Sequence, residues 1–512
     1  MEIRNVLLVS MIAFLAGVQN LNGQFNSIRI RFDDTADAPF ISKHIYGQFA
    51  EHLGRSIYDG FYRNGAIRSD IVAALKQIRV PNLRWPGGCF AEQYHWRDGI
   101  GVPSQRTATV NTTWGMVIDD NSFGTDEFMR LCKEIGCQPY IAGNVATGSP
   151  EEMKDWIEYL NFNGNSTLAD LRRKNGHVEP YGVSFWGVGN ESWGCGGLMS
   201  AEIYAAKFRQ YGFFCKNYPG SPIKRIAAGA RNDDYHWTEV CMRDIPNTML
   251  WGLSFHYYAI ETNDWNKKGP ATGFDEEAYF TSLKNAMKMQ ELVEKHSAIM
   301  DKYDPDRRIA LVVDEWGIWT DVEKGTNPNF LYQQNTLRDA LIAATTLNIF
   351  NNNAQRVRMA NLAQTINVLQ SLILTKDDEL VMTPTYYVFD LYKNHQDAKL
   401  IPIKIDSITY KYGEERLQAV NGSASLDSLG NMHITMVNID PHRSVAIKAE
   451  LPGKLCHLTA AKSLTSKNYG DFNSFTSKDK VLPRAFEDAK IVGSELQVEL
   501  PGCSIVALTI SK

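Results

Sequence analysis

The chain has 512 residues, 44% hydrophobic and 22% charged, an ordinary composition for a globular protein but too long for one core, so two domains are expected. A formal net charge of −5 and the lack of any sustained Lys/Arg cluster exclude the electrostatic footprint of a nucleic-acid or anionic-membrane binder. An uncharged ligand fits this balance better.

Arg4 precedes an apolar stretch, Val6 to Val18, that turns polar at Gln19-Asn20. This pattern reads as a secretory signal over residues 1–23, removed on export to the periplasm or the extracellular space. The stretch is short for a span of about 20 apolar residues. No later segment could span a bilayer, and no cysteine follows closely enough for a lipid anchor, so no membrane insertion is expected after cleavage.

Ser27 to Phe32 alternates apolar and polar residues, and residues 24–40 are expected to join a sheet formed by the C-terminal part of the chain. From 41 to 393 short apolar runs alternate with helical stretches, the order of repeated strand-helix units on a parallel sheet. Eight strand candidates end near Glu51, Gly88, Asn144, Glu191, Ala230, Tyr258, Glu315 and Gln364. Helices are expected at Asp70 to Arg79, Thr125 to Ile135, Ala201 to Tyr218, Tyr279 to Tyr303 and Leu331 to Asn348. Eight such units are what a (β/α)8 barrel requires. Over 394–512 the texture changes to short alternating runs, Leu400 to Ile405, His433 to Val437, Val445 to Leu451, Leu496 to Leu500 and Ser504 to Ile510, separated by turn residues. That predicts an antiparallel, jelly-roll-like β-sandwich.

Two of the barrel runs, Trp186-Gly187-Val188-Gly189-Asn190-Glu191 and Val312-Val313-Asp314-Glu315-Trp316-Gly317, each end on a lone glutamate. Carboxylates at the C-terminal ends of barrel strands lie on the face that carries chemistry. Glu191 after strand four and Glu315 on strand seven face each other across the mouth, the equipment of glycoside hydrolysis by a general acid and a nucleophile. Trp85, Trp186 and Trp316 are expected to pack the barrel.

The eight cysteines, Cys89, Cys132, Cys137, Cys195, Cys215, Cys241, Cys456 and Cys503, are scattered, and their spacing pairs none of them. Neither Cys-x-x-Cys nor His-Glu-x-x-His occurs, so the expected mechanism needs no metal and no cofactor. The glycine-rich run Ser192 to Gly197 is expected to form a flexible loop on the leaving-group side, with Cys195 either paired or packed.

Gly47-Gln48-Phe49-Ala50-Glu51-His52-Leu53-Gly54-Arg55, Arg84-Trp85-Pro86-Gly87-Gly88-Cys89-Phe90, Gly189-Asn190-Glu191, Ser254-Phe255-His256-Tyr257-Tyr258, Asp314-Glu315-Trp316 and Ala360-Asn361-Leu362-Ala363-Gln364 stand in this order. In this the chain resembles the arabinofuranosidases of glycoside hydrolase family 51 over nearly its whole mature length. The resemblance implies Glu191 as acid/base and Glu315 as nucleophile of a retaining, exo-acting α-L-arabinofuranosidase acting on arabinan, arabinoxylan or derived oligosaccharides. It implies that Asn190 binds the 2-hydroxyl, that His256 and Tyr258 surround the nucleophile, and that Glu51, Cys89 and Gln364 line the arabinofuranose subsite. Trp319 is expected as a platform for the sugar. The resemblance also implies a homo-oligomer, often a hexamer. The alternative within the same family is an endo-β-glucanase or a β-xylosidase.

Overall fold

The structure, a computed structural model, describes residues 27–512; the leader expected at 1–23 lies outside them. Strands Gly47–Phe49, Asn82–Trp85, Gln138–Gly143, Phe185–Val188, Lys224–Arg231, Gly252–Ala259, Ala310–Ile318 and Val357–Leu362 close in chain order into a barrel. Every pairing in it is parallel. Parallel strands are covered on both sides, hence their nearly continuous apolar runs. Ala310–Ile318 is buried at every position, Asp314 and Glu315 included. Tyr140, Phe185, Ile226, Ala310, Val312 and Met359 form one apolar cluster toward the N-terminal ends of the strands. Trp85, Trp186 and Trp316 are buried.

The outer helices form from amphipathic stretches with legible ends. Thr125–Ile135 buries Phe128, Leu131, Cys132 and Ile135, and stops at Gly136, whose φ of 84° suits glycine. The helix expected from Leu331 starts instead at Leu337. Leu331 is left-handed, with φ 51°, and the Asp339 carboxylate accepts the Thr336 N–H at 2.7 Å to cap the true start. Leu337–Asn352 is buried on nearly all sides because it lies between the barrel and the C-terminal sheets. Its polar residues are satisfied across that boundary: Ser423 Oγ donates to Asn348 Oδ1 at 2.8 Å, and Asn351 Nδ2 donates to Ser423 Oγ at 3.1 Å.

Two mostly antiparallel sheets of six and five strands follow the barrel. The run Leu400 to Ile405 is two strands rather than one. Lys399–Ile401 belongs to the six-stranded sheet and Ile403–Ile405 to the five-stranded sheet. Pro402, which has no N–H for a ladder, marks the break. Ile28–Phe32 pairs antiparallel with Ile403–Ile405 and parallel with Val445–Glu450. Among the described residues no helix is long and apolar enough to cross a membrane.

Candidate active site

Glu315 sits on the seventh barrel strand in register with His256 on the sixth. Its Oε1 accepts Arg84 Nη1 at 2.9 Å and its Oε2 accepts the Tyr258 hydroxyl at 2.7 Å. Arg84, on the second strand, also donates Nη2 to Asn190 Oδ1 at 2.5 Å, so one buried guanidinium ties the nucleophile candidate to the residue before the acid/base candidate. The Gly87-Gly88 pair is explained by close approach. A Cβ at Gly88 would lie 2.5 Å from Glu315 Oε1, and one at Gly87 would lie 2.6 Å from Glu51 Cγ.

Glu191 follows the fourth strand at a left-handed φ of 39°, an uncommon conformation for a glutamate and one that recurs at functional sites. His256 Nδ1 is 2.9 Å from Glu191 Oε1 and 3.6 Å from Glu315 Oε2, while its Nε2 is 3.1 Å from Asp314 Oδ1. Burial alone would lower the His256 pKa. The Glu315 charge and the hydrogen bonds with Asp314 and Glu191 outweigh it and raise the value to about 10. The ring is therefore an imidazolium donating from both nitrogens. Burial opposes the Asp314 charge, but Arg84, His256 and the Tyr140 hydroxyl, 2.6 Å from Oδ2, prevail and hold this carboxyl well below the usual range. Burial raises the Glu191 pKa, as does the Glu315 charge, against the opposing His256 hydrogen bond.

Carboxylate oxygens of Glu191 and Glu315 lie within 4.8 Å of each other at the edge of a cavity of roughly 600 Å3. Glu51, Cys89, His256, Tyr258, Trp319 and Gln364 also line it. Asn190 does not. It is 1% exposed, with its Oδ1 held by Arg84. Glu51 Oε2 accepts Gln364 Nε2 at 2.8 Å, and its Oε1 accepts the Phe90 N–H at 3.0 Å and Trp114 Nε1 at 2.9 Å. Burial, together with the Glu315 charge, pushes the Glu51 pKa up to about 7. Trp319 meets Tyr258 edge-on, with ring centres 5.1 Å apart.

Cys89 and Cys195 form a disulfide. The other six cysteines are free. The glycine-rich loop expected to be flexible is thus tethered to the loop after the second strand. Cys195 Sγ lies 3.5 Å from Glu191 Oε2, a packing contact, since a disulfide sulfur has no hydrogen to donate.

Two known domain families match this chain: the α-L-arabinofuranosidase 1 domain over residues 74–278 and the α-L-arabinofuranosidase C-terminal domain over 314–504. A Bacteroides ovatus protein named intracellular exo-α-L-arabinofuranosidase is 45% identical over 98% of this chain and 99% of its own length. The chain belongs to the family 51 α-L-arabinofuranosidases. A crystal structure of the family 51 arabinofuranosidase from Xanthomonas axonopodis pv. citri is 45% identical, covers 95% of this chain and 100% of its own, and superposes with a TM-score of 0.92. The Thermotoga maritima α-L-arabinofuranosidase in complex with arabinose is 32% identical, with coverage of 94% and 99% and a TM-score of 0.83.

These family 51 relatives do not favour the glucanase or xylosidase alternative, and they correct the expectation of export. The Bacteroides ovatus relative matches end to end and is named intracellular, so the reading of a cleaved signal and a secreted enzyme is withdrawn. Its basis was one arginine and the apolar stretch Val6 to Val18. Hydrophobicity over so short a stretch does not specify export.

Several residues of the family 51 site carried no role in the sequence reading: Arg84, Asp314, Tyr140, Trp114 and Glu92. Arg84 and Asp314 did leave a signal, a charge inside an otherwise apolar strand, which must find a partner. Glu92 and Trp114 left none, because their partners are brought to them by loops distant in sequence.

Proposed function

We propose that Glu315 is the nucleophile and Glu191 the acid/base of a double displacement at arabinofuranosides. The enzyme is an exo-acting α-L-arabinofuranosidase, in keeping with its relatives. The close approach of the Glu191 and Glu315 carboxylates, within 4.8 Å, is the observation that carries the double-displacement reading. Retaining enzymes hold their two carboxyl groups roughly 5 to 5.5 Å apart, too close to admit the water that inversion needs.

Glu315, held by the Arg84 and Tyr258 donors, attacks the anomeric carbon. Glu191, with its pKa raised, gives its proton to the departing oxygen and then takes one from the water that hydrolyses the glycosyl-enzyme. The His256 imidazolium lies between the two carboxyls and offsets their mutual repulsion. Glu51 and Gln364, bonded to each other on the cavity wall, are placed to bind ring hydroxyls, and Trp319 to face the sugar. Asn190, outside the cavity lining and with its Oδ1 committed to Arg84, has only Nδ2 left to offer the 2-hydroxyl.

The natural substrates under this reading are arabinan, arabinoxylan and their oligosaccharides, with no cofactor. The chain divides into a barrel over 41–393 and a sandwich over 394–512 that recruits the segment expected at 24–40, of which 24–26 lie outside the described residues. A homo-oligomer, up to a hexamer, is the proposed assembly. It is supported by exposed Val110, Met116 and Ile118 on the hairpin of Thr109–Asn111 and Val117–Asp119.

The test is hydrolysis of an aryl α-L-arabinofuranoside by wild type and Glu191→Ala, with and without azide. Restoration of the mutant's turnover as an arabinosyl azide is the expected result. Failure of azide to help, with near wild-type rates in the mutant, would remove Glu191 from the mechanism.

A further inference from the structure

Arg231 is the last residue of the fifth barrel strand and pairs in register with His256, the residue that touches Glu191. Its guanidinium carbon lies 5.7 Å from the Trp193 ring centre and 5.9 Å from that of Trp265. Trp193 is two residues past the acid/base and is pinned by its Nε1, which donates to the Gly229 carbonyl at 3.1 Å. Because Glu191 protonates the departing oxygen, the wall made by Trp193, Arg231 and Trp265 borders the leaving group, not the arabinofuranose.

Arg231 is exposed into this part of the cavity, and no carboxylate pairs with it among the described residues. Lys288, which also lines the cavity, differs in having its Nζ 3.2 Å from Asp233 Oδ2. Aromatic rings take the faces of a guanidinium and leave its N–H edges free, and those edges match a carboxylate with two parallel hydrogen bonds. Arg231 thus sets an unpaired positive charge at the end of the cavity where the leaving group sits.

We propose that Trp193, Arg231 and Trp265 form a leaving-group subsite that recognises a carboxylate, so that the enzyme prefers arabinofuranosides whose leaving sugar is a uronic acid. The proposal rests on the arabinofuranosidase reading of the same cavity and adds the class of its leaving group.

The test uses pairs of arabinofuranosyl disaccharides, one member with a hexuronic acid as leaving sugar and the other with that carboxyl reduced to the alcohol, across several linkages. For at least one linkage wild type should hydrolyse the uronate with a kcat/KM about tenfold higher, the scale of one charged hydrogen-bonded contact. The gain should lie in KM and should shrink toward unity in 1 M NaCl. In Arg231→Gln the ratio of the two members should fall to one or below, and Arg231→Lys should lie between. Because the readout is a ratio within one protein, a general loss of activity cancels, and the salt titration of wild type needs no variant. Equal rates on both members by wild type, or a preference that survives in Arg231→Gln, would overturn the subsite while leaving the activity intact. Release of arabinose from neither member would overturn the activity reading and the subsite with it.

Discussion

The Glu92 carboxylate accepts the backbone N–H of Asn190 at 2.6 Å, although Glu92 does not line the cavity. Its second oxygen takes the N–H groups of Val145 and Ala146, at 2.7 and 2.8 Å. One buried side chain thus fastens the loop after the third strand to the turn that carries the acid/base.

Glu92→Gln replaces one acceptor oxygen by an amide that can only donate, leaving at least one buried N–H without a partner. A cost of about 1 to 3 kcal/mol in stability is expected. The Glu191 turn should lose its position, lowering kcat by about tenfold or more, with KM for an aryl arabinofuranoside changed less. Steady-state kinetics and thermal melting of the variant check both. An unaltered kcat would make Glu92 a folding residue only.

Arg84→Lys should be far from conservative. A single ammonium cannot reach Glu315 Oε1 and Asn190 Oδ1 with the geometry of the planar fork. We expect kcat to fall by about 100-fold or more, within the range for loss of a preorganised charge contact. The lysine keeps a positive charge among the buried carboxylates, so the melting temperature should drop less than for Arg84→Ala. Comparing the two variants by calorimetry and kinetics decides this.

Stability should decline from mildly acidic to alkaline pH. Glu51 and Glu92 are raised by burial from 4.5 to about 7, and His256 is raised from 6.5 to about 10 by its carboxylate neighbours against burial. For groups raised on folding, the native state holds more protons than the unfolded one, so the contribution is complete below the unfolded value and is lost as pH climbs through the folded value. The carboxyls act between about pH 4.5 and 7 and His256 between about 6.5 and 10. Asp314, lowered on folding, withdraws its contribution only as pH falls through the acidic range. Melting temperatures measured from pH 5 to 9 should fall steadily. A maximum near pH 9 would contradict these assignments.

Reduction of Cys89–Cys195 should slow turnover by releasing the loop that abuts Glu191. A drop of about tenfold in kcat is expected, the scale of a modest misplacement of a catalytic group. Cys195→Ser should show the same deficit and no response to dithiothreitol. A variant as active as the oxidised enzyme would make the tether irrelevant to catalysis.

The barrel was legible because a parallel sheet writes itself as apolar runs. The run Ala310 to Ile318 can be recognised without knowing its neighbours. Helix starts were less legible. Leu331 fits the apolar spacing, but its left-handed backbone and the Thr336–Asp339 cap are set by local geometry that periodicity does not carry. Pro402 was visible, yet its consequence, two strands sent into different sheets, required the partners of each. In the site, motif residues with a fixed place on a strand, such as Glu315 and Tyr258, could be singled out from sequence. Arg84 showed only as a charge in an apolar strand and Glu92 not at all, since the hydrogen bonds that give them their roles join residues from about fifty to over two hundred positions apart.

Ile28–Phe32 is an interior strand of the five-stranded sheet, with Ile403–Ile405 on one side and Val445–Glu450 on the other. The chain is therefore buckled like a belt: the tongue is made first, and the clasp that receives it only after the whole barrel has been synthesised. Until then the strand waits with both edges unpaired. A fragment beginning at 394 would present the same gap from the other side, two open strand edges where a neighbour belongs, and would be prone to stick to its own copies.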